Sequence, residues 1–77
     1  MDILQKLIVF LTKLDENKIY YRLNKVRDSI MVEIAVPGQR WEVEFMSDGT
    51  MEIEKFITEN KIFDEQEIEV LFRDFSD

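Results

Sequence analysis

Five glutamates lie close together in the middle of the sequence, and they are its strongest candidates for chemistry. They are Glu33, Glu42, Glu44, Glu52 and Glu54. Neighbouring carboxylates can act as a general acid and base, or they can attract a cation or a basic protein surface. Catalysis would require a cleft that shifts a carboxyl pKa, whereas recognition of a basic protein requires only an exposed acidic face.

The rest of the composition excludes most catalytic classes. The chain has no histidine and no cysteine, so it lacks the commonest general base, a thiolate nucleophile, a thiolate metal site and any disulfide. Its two glycines lie in separate turns and form no phosphate-binding loop. We therefore expect no enzymatic activity, no cofactor, no metal site and no small-molecule substrate.

The charge is negative overall and unevenly distributed. The net charge is −7, with +2 on residues 1–40 and −9 on residues 41–77. The acidic half should repel nucleic acid and anionic membranes and attract a basic protein. The segment Tyr20–Arg27 combines aromatic and basic residues, as single-strand-binding surfaces do. Because of the net charge, we do not expect nucleic acid binding.

Nothing in the sequence predicts a membrane span or a signal peptide. The longest apolar run, Leu7–Leu11, is far too short to cross a bilayer, and no small-residue cleavage site follows it. Together with the lack of cysteine, this predicts a cytoplasmic protein.

The elements that position the glutamates are three predicted strands. Apolar and polar residues alternate along Ile30–Val36, Trp41–Met46 and Met51–Ile57, as in strands with one buried and one solvated face. The glutamates fall on the solvated face of all three strands.

The length of the second of the two connections follows from which residues must share a face. A two-residue turn at Asp48-Gly49 would mix apolar and acidic groups on each face, so the alternation requires a three-residue loop, Ser47-Asp48-Gly49. This loop pairs Phe45 with Met51. It also sets Glu44 opposite Glu52, and Glu42 opposite Glu54.

The same reasoning at Pro37-Gly38 predicts a four-residue loop, Pro37–Arg40. That loop pairs Val36 with Trp41 and Ile34 with Val43, and sets Glu33 opposite Glu44. Like charges that face each other on a sheet destabilise it by roughly 0.2–1 kcal/mol per pair. The fold does not require this repulsion, which favours a binding role, but charged strand faces also keep sheets soluble and unaggregated.

Helices are predicted on either side of the strands. Residues 2–16 have the spacing of an amphipathic helix with Asp2 as N-cap. Val9 and Phe10 widen its apolar arc, which predicts burial between the sheet and a second helix, with a partner contact as the alternative. The second helix is predicted over Asp64–Phe75, with Asp64 and Glu67 forming a capping box.

Two shorter segments complete the chain. Ile19–Arg27 alternates as a first strand would, with a helix over Tyr20–Arg27 as the alternative; as a strand, it places Arg22 on the glutamate face. Residues 59–61 are predicted to form a turn. Phe56 is predicted on the acidic face, near Arg40.

These elements predict one domain over residues 1–77 with an α+β fold. We expect a two-layer sandwich in the order α-β-β-β-β-α, in which a four-stranded antiparallel meander carries the N- and C-terminal helices on one face.

One stretch of sequence resembles a known group of proteins. The run from Met31 to Phe45, followed by Asp48-Gly49 and then by Glu52–Phe56, resembles small uncharacterised bacterial proteins that share a VPGxRWEVEFxxDG core. The resemblance covers about residues 20–72, and Gln39 stands where a Glu is common. Some members resemble the immunity or antitoxin partners of bacterial toxins. The resemblance implies a small cytoplasmic protein-binding domain and supplies no functional residues.

The sequence thus favours a non-enzymatic protein-binding module that uses Glu33, Glu42, Glu44, Glu52 and Glu54 to recognise a basic protein. The alternative is a structural homodimer without an external ligand, with Met31, Met46 and Phe56 marking the contact.

Overall fold

Antiparallel strands form one sheet in which spatial order follows chain order, and a helix precedes and follows them. The structure is a computed structural model that describes residues 2–56 and 60–75. The elements are α1 (Ile3–Glu16), β1 (Tyr21–Val26), β2 (Ser29–Val36), β3 (Gln39–Phe45), β4 (Met51–Phe56), β5 (Asn60–Phe63) and α2 (Glu67–Phe75). The predicted α+β class and the four predicted strands between two helices are confirmed, and the uncertain segment forms strand β1.

A fifth strand, β5, extends the predicted meander. Asn60 and Lys61, which the sequence placed in a turn, begin this strand, and it pairs with β4. Four residues are too few to show a clear alternation of apolar and polar side chains. Strand β5 forms because β4 offers an edge with which it can pair. The predicted strand end at Ile57 and the predicted turn residue Glu59 lie outside the described residues.

Both helices cover one face of the sheet and enclose a single core. The buried apolar residues come from α1, α2 and three strands, together with Ile19. They are Phe10, Leu14, Ile19, Val32, Ile34, Trp41, Val43, Phe45, Ile53, Leu71 and Phe72. Each such side chain contributes roughly 1.5–3 kcal/mol through burial, so this face stabilises the fold and leaves the opposite face of the sheet to solvent.

Helix α1 begins as the sequence predicts. The Asp2 carboxylate accepts a hydrogen bond from the Gln5 backbone N–H at 2.8 Å and caps the first turn. Phe10 is buried as expected, but the predicted burial of Val9 is wrong, because 54% of that residue is exposed. The apolar arc of α1 is wider than the strip that one helix can bury against a sheet.

Helix α2 begins three residues later than predicted, at Glu67. Asp64 accepts a hydrogen bond from the backbone N–H of Gln66 at 3.0 Å and so starts a turn that leads into the helix. The predicted capping box does not form, because the Glu67 side chain binds Lys55.

The Ser47-Asp48-Gly49 loop has the predicted register. Phe45 pairs with Met51, and Gly49 has the positive φ, +93°, that the loop requires. The Met46 backbone N–H donates to the Thr50 carbonyl at 2.9 Å and closes the loop. Glu44 therefore faces Glu52, and Glu42 faces Glu54, as predicted.

The predicted register between β2 and β3 is wrong by two residues. Val36 pairs with Gln39, so Pro37-Gly38 is a two-residue turn. Proline fixes φ at the first central position and Gly38 adopts φ +78° at the second, which suits a tight turn. A shift of two residues keeps the same side chains on each face, so alternation alone could not distinguish the two registers.

No helix among the described residues is both long and apolar enough to cross a membrane.

Candidate functional site

The corrected register arranges the glutamates in two rows across the solvated face of the sheet. Ile34 now pairs with Trp41, so Glu33 lies opposite Glu42 rather than opposite Glu44. The first row runs Arg22, Glu33, Glu42, Glu54, and the second runs Asn24, Met31, Glu44, Glu52. We call Glu33, Glu42, Glu44, Glu52 and Glu54 the acidic face. All five predicted site residues lie on it, and it holds three pairs of directly opposed glutamates.

Two arginines offset part of this charge. Arg22 Nη2 lies 3.0 Å from Glu33 Oε1, and Arg40 Nη2 lies 3.7 Å from Glu42 Oε2. Arg22 reaches Glu33 from the neighbouring strand, as the sequence predicted. Both arginine side chains are well exposed, so each ion pair contributes little to stability.

Arg40 also carries the predicted contact at one end of the acidic face. Its guanidinium lies 4.4 Å from the centre of the Phe56 ring, across the β3–β4 ladder. This cation–π contact fixes the arginine over an aromatic surface instead of leaving it free to move among the glutamates.

Glu44 has a neutral partner. The Ser29 hydroxyl lies 2.5 Å from Glu44 Oε2 and 2.8 Å from the Val26 carbonyl oxygen, so its single proton is shared between two acceptors. Ser29 is buried, which holds the Glu44 carboxylate in place without neutralising its charge.

Glu52 and Glu54 are the least compensated members of the acidic face. No cation among the described side chains lies within ion-pair distance of either carboxylate. Glu52 is also the most exposed of the five. These two residues on β4 therefore present the net negative charge of the face to solvent.

The centre of the acidic face has only a small hollow, and a larger, open one of about 260 Å³ lies at its edge between Arg22, Glu33 and Arg40. The hollow between Met31 and the glutamates of β3 and β4 has a volume of about 30 Å³, which leaves room for about two water molecules. Within residues 2–56 and 60–75, no group of three or more acidic side chains is arranged to hold a metal ion. The geometry suits charge recognition over a broad, shallow surface.

One charged residue that sequence reasoning overlooked lies on the other side of the sheet. Lys55 continues the Met51–Ile53 face of β4 and is only 9% exposed. Its Nζ lies 2.5 Å from Glu67 Oε2 and 4.8 Å from the ring centres of Trp41 and Phe63. The alternation along β4 predicts that the Lys55 side chain points to the helical side. It does not predict that Glu67 of α2 is its partner. Lys55 joins β4 to α2 and has a structural role.

Two of the basic residues in the Tyr20–Arg27 segment are already engaged in contacts within the chain. Tyr20 is exposed, but Arg22 is bound to Glu33, and Lys25 Nζ donates to the backbone carbonyl of Arg27.

The residues that would mark a homodimer contact through the sheet face lie apart. Met31 lies among the glutamates, Phe56 lies under Arg40, and Met46 lines a shallow groove beside Ile3 and Leu7 on the helical side. A dimer through the acidic face would also bring the glutamates of two copies together.

Tyr21 and Asp15 show how α1 lies over the sheet. Desolvation raises the pKa of the Tyr21 phenol above its ordinary value, and interaction with the Asp15 carboxylate raises it further. The C-terminal end of α1 therefore lies beside the start of β1, whereas its N-terminal residues line a groove with Ser29 and Ile30 at the far end of the β1–β2 hairpin.

Comparison of the chain with protein-family models, with curated proteins and with solved structures finds no match.

Proposed function

We propose that this protein is a non-enzymatic protein-binding module that recognises a basic protein through its acidic face. An immunity or antitoxin protein that neutralises a basic toxin would use this chemistry. The observation that supports the proposal is that glutamates lie directly opposite one another within each of the two rows. Among the described side chains, Glu52 and Glu54 have no cationic partner. Repulsion of this kind weakens a fold, and a basic partner would relieve it.

The partly buried carboxylates suit recognition in a second way. The side chains of Glu33 and Glu42 are only 24% and 22% exposed. Side chains that are already ordered lose little conformational entropy when a partner binds. The charge of the face would speed the approach of a basic protein, and the ordered carboxylates would fix its orientation.

In the proposed mechanism, cationic side chains of the bound protein replace two arginines of this chain. In the free protein, Arg22 forms an ion pair with Glu33, and Arg40 forms one with Glu42. Both arginines are well exposed. A cation from the partner can replace either arginine at little free-energy cost, because such pairs are worth about 0–1 kcal/mol. Glu52 and Glu54 form no ion pair with a described side chain, so no arginine has to be displaced from them. They would therefore make the first contacts with the basic protein.

Affinity capture from an extract of the native cells tests the proposal. The immobilised wild-type protein is compared with a triple variant, Glu42→Gln, Glu52→Gln and Glu54→Gln. A matched control carries the same charge change on the helical side, Glu16→Gln, Glu65→Gln and Glu69→Gln. We expect wild type and control to capture the same basic protein and the acidic-face variant to lose it.

Salt provides the second readout. The screening length is about 10 Å at 0.1 M salt and about 3 Å at 1 M, so a charge-led complex should elute as salt increases. Equal capture by the two triple variants, or retention that does not depend on salt, would contradict recognition through the acidic face.

A further inference from the structure

Strand β1 has an open outer side. It pairs with β2 only, so its outer side has no strand partner among the described residues. The four inner residues of β1 are exposed, and only Tyr21 and Val26 at its two ends are partly buried. An edge of this kind can accept one more strand through backbone hydrogen bonds.

The β1–β2 hairpin determines which backbone groups point outward. Val26 pairs with Ser29 across a two-residue turn, so these residues form the closing hydrogen-bonded pair. Hydrogen-bonded and non-hydrogen-bonded pairs alternate from there along the two strands. The residues of β1 that direct their N–H and C=O groups away from β2 are therefore Tyr21, Leu23 and Lys25.

Apolar side chains lie beside these backbone groups on the helical side of the sheet. Leu23 pairs with a fully buried residue of β2, and residues that pair across strands point to the same face. At about 100° per residue, Leu4 and Ile8 lie on the side of α1 that carries Asp15, which contacts the first residue of β1. Leu4, Ile8 and Leu23 are 62%, 52% and 53% exposed. We call the outer side of β1, together with Leu4 and Ile8, the β1 edge.

The charge of β1 and its flanking residues is positive. Residues 18–27 include four basic residues and no acidic residue. The basic residues are Lys18, Arg22, Lys25 and Arg27, and all four are exposed. Among the described residues, only Arg22 of these four forms an ion pair, and its side chain remains 71% exposed. The positive charge opposes the pairing of two such edges, whereas it attracts an acidic strand.

We propose that the β1 edge binds an extended acidic segment of a partner protein, which adds to the sheet as a further strand. The backbone of this segment bonds to the outward groups of Tyr21, Leu23 and Lys25. Backbone bonds supply affinity in this mode of recognition, and the alternate side chains supply specificity. The positive charge of the β1 edge selects the acidic segment.

The two sides of the sheet determine the sequence pattern of the bound segment. On the helical side, apolar side chains of the segment cover Leu4, Ile8 and Leu23, and Asp15 disfavours a second carboxylate there. On the other side, Arg22 lies next to the position of the added strand, where a carboxylate can pair with it. Because successive side chains of a strand point to opposite faces, the segment alternates apolar and acidic residues.

Arg22 separates the bound segment from the acidic face. In the first row, Arg22 lies between the open side of the sheet and Glu33. Neighbouring strands are about 4.8 Å apart, so a carboxylate on the added strand lies about 10 Å from Glu33, with the guanidinium between them. Screening over about 8 Å at physiological salt weakens the remaining repulsion. Lys25 and Arg27 add positive charge at the hairpin end of the strand.

Amide hydrogen exchange, followed by NMR, tests strand addition. The probe is a synthetic peptide of about seven residues in which glutamate alternates with valine, long enough to span β1. At a concentration of about ten times its dissociation constant, the peptide should slow exchange about tenfold at the outward amides of Leu23 and Lys25. The amides of Asn24 and Val26 already bond to β2 and should change little. The same peptide with every backbone nitrogen methylated cannot pair as a strand and should slow none of them.

A pair of charge variants tests the selection of an acidic segment. Arg22→Gln with Lys25→Gln removes two charges from the β1 edge. The matched control, Lys6→Gln with Lys13→Gln, removes two charges from the side of α1 that faces α2. With folding checked by circular dichroism, the edge variant should bind the glutamate–valine peptide about tenfold more weakly, and the control should bind it as wild type does.

Several results would overturn the proposal. One is a lack of binding of the glutamate–valine peptide at about 1 mM. Another is equal protection of Leu23 and Asn24, or equal protection by the methylated peptide or by an oligothymidylate of matched charge, because each would mean charge attraction without strand addition. Unchanged binding by the edge variant would exclude selection by charge. The probe is acidic and the readout lies on β1, so failure here leaves the acidic-face proposal standing.

Discussion

The two faces of the sheet treat charge in opposite ways. On the helical face, the charge of Lys55 lies among aromatic rings and has a carboxylate partner at 2.5 Å. On the other face, five glutamates lie in opposed pairs, and Glu52 and Glu54 have no described cation beside them. A buried charge must be paired because desolvation is expensive, whereas solvent reduces the repulsion between exposed charges to a small penalty.

The two faces differ in what the fold requires of them. The apolar side chains of the helical face form the buried core, so substitutions there should change stability. On the acidic face, three pairs of glutamates lie directly opposite one another, an arrangement that the fold does not require.

The largest difference between the faces should appear at two adjacent residues of β4. Ile53→Ala removes a fully buried side chain and should lower the free energy of unfolding by about 3–4 kcal/mol. Glu54→Ala, on the other face, should change it by no more than about 0.5 kcal/mol. Urea unfolding of both variants measures the difference. Similar losses for the two would mean that the acidic face is also part of what holds the fold together.

Removal of the partner of Lys55 should have the next largest effect. Glu67→Ala leaves a nearly buried ammonium group without its carboxylate and should lower stability by about 2–3 kcal/mol. Adding Lys55→Met to that variant should restore most of the loss, because methionine fills the space without a charge. If the double variant is no more stable than Glu67→Ala, the ion pair is not the source of the effect.

A charge reversal on the acidic face should stabilise the protein slightly. Glu52→Lys replaces the Glu44–Glu52 repulsion with an attraction, worth about 0.2–1 kcal/mol, or a few degrees in the melting temperature. Thermal unfolding at low and at high salt measures it, and the gain should shrink as salt increases. A lower melting temperature than wild type would show that Glu52 stabilises the fold.

The smallest effect on stability should come from Asp48, whose carboxylate accepts two hydrogen bonds from Thr50. Hydrogen bonds from the Thr50 hydroxyl at 2.7 Å and backbone N–H at 3.0 Å hold the pKa of Asp48 below its usual value of 3.8. Because the folded pKa is the lower one, this contribution is complete at neutral pH and is lost as the pH falls below about 3.8. Wild type should exceed Asp48→Asn in stability at pH 7 and approach it near pH 2. A difference that is independent of pH would argue against the charge of Asp48.

The sequence predicted the faces of the strands better than their alignment. Alternation placed Glu33 and Glu42 on the solvated side and Val32 and Val43 in the core, because burial imposes a period of two. It could not decide between registers that differ by two residues, and the Pro37-Gly38 turn determined that alignment instead.

Features that depend on contacts distant in sequence were beyond prediction. The pairing of Lys55 with Glu67 requires α2 to lie over β4, and β5 requires a free strand edge. Leu4 and Ile8 are exposed because only part of the wide apolar arc of α1 packs against the sheet. Periodicity describes each segment separately, whereas these features arise when segments meet.

The opposed glutamates of the acidic face should repel one another in the folded protein. A double-mutant cycle with Glu44→Gln, Glu52→Gln and the combined variant, measured by urea unfolding at low salt, isolates this interaction. The cycle cancels the separate loss of the Ser29 contact of Glu44. We predict an unfavourable coupling of about 0.2–1 kcal/mol between the two carboxylates. A coupling of zero, or a favourable one, would show that these carboxylates do not repel one another and that the acidic face is an ordinary solvated surface.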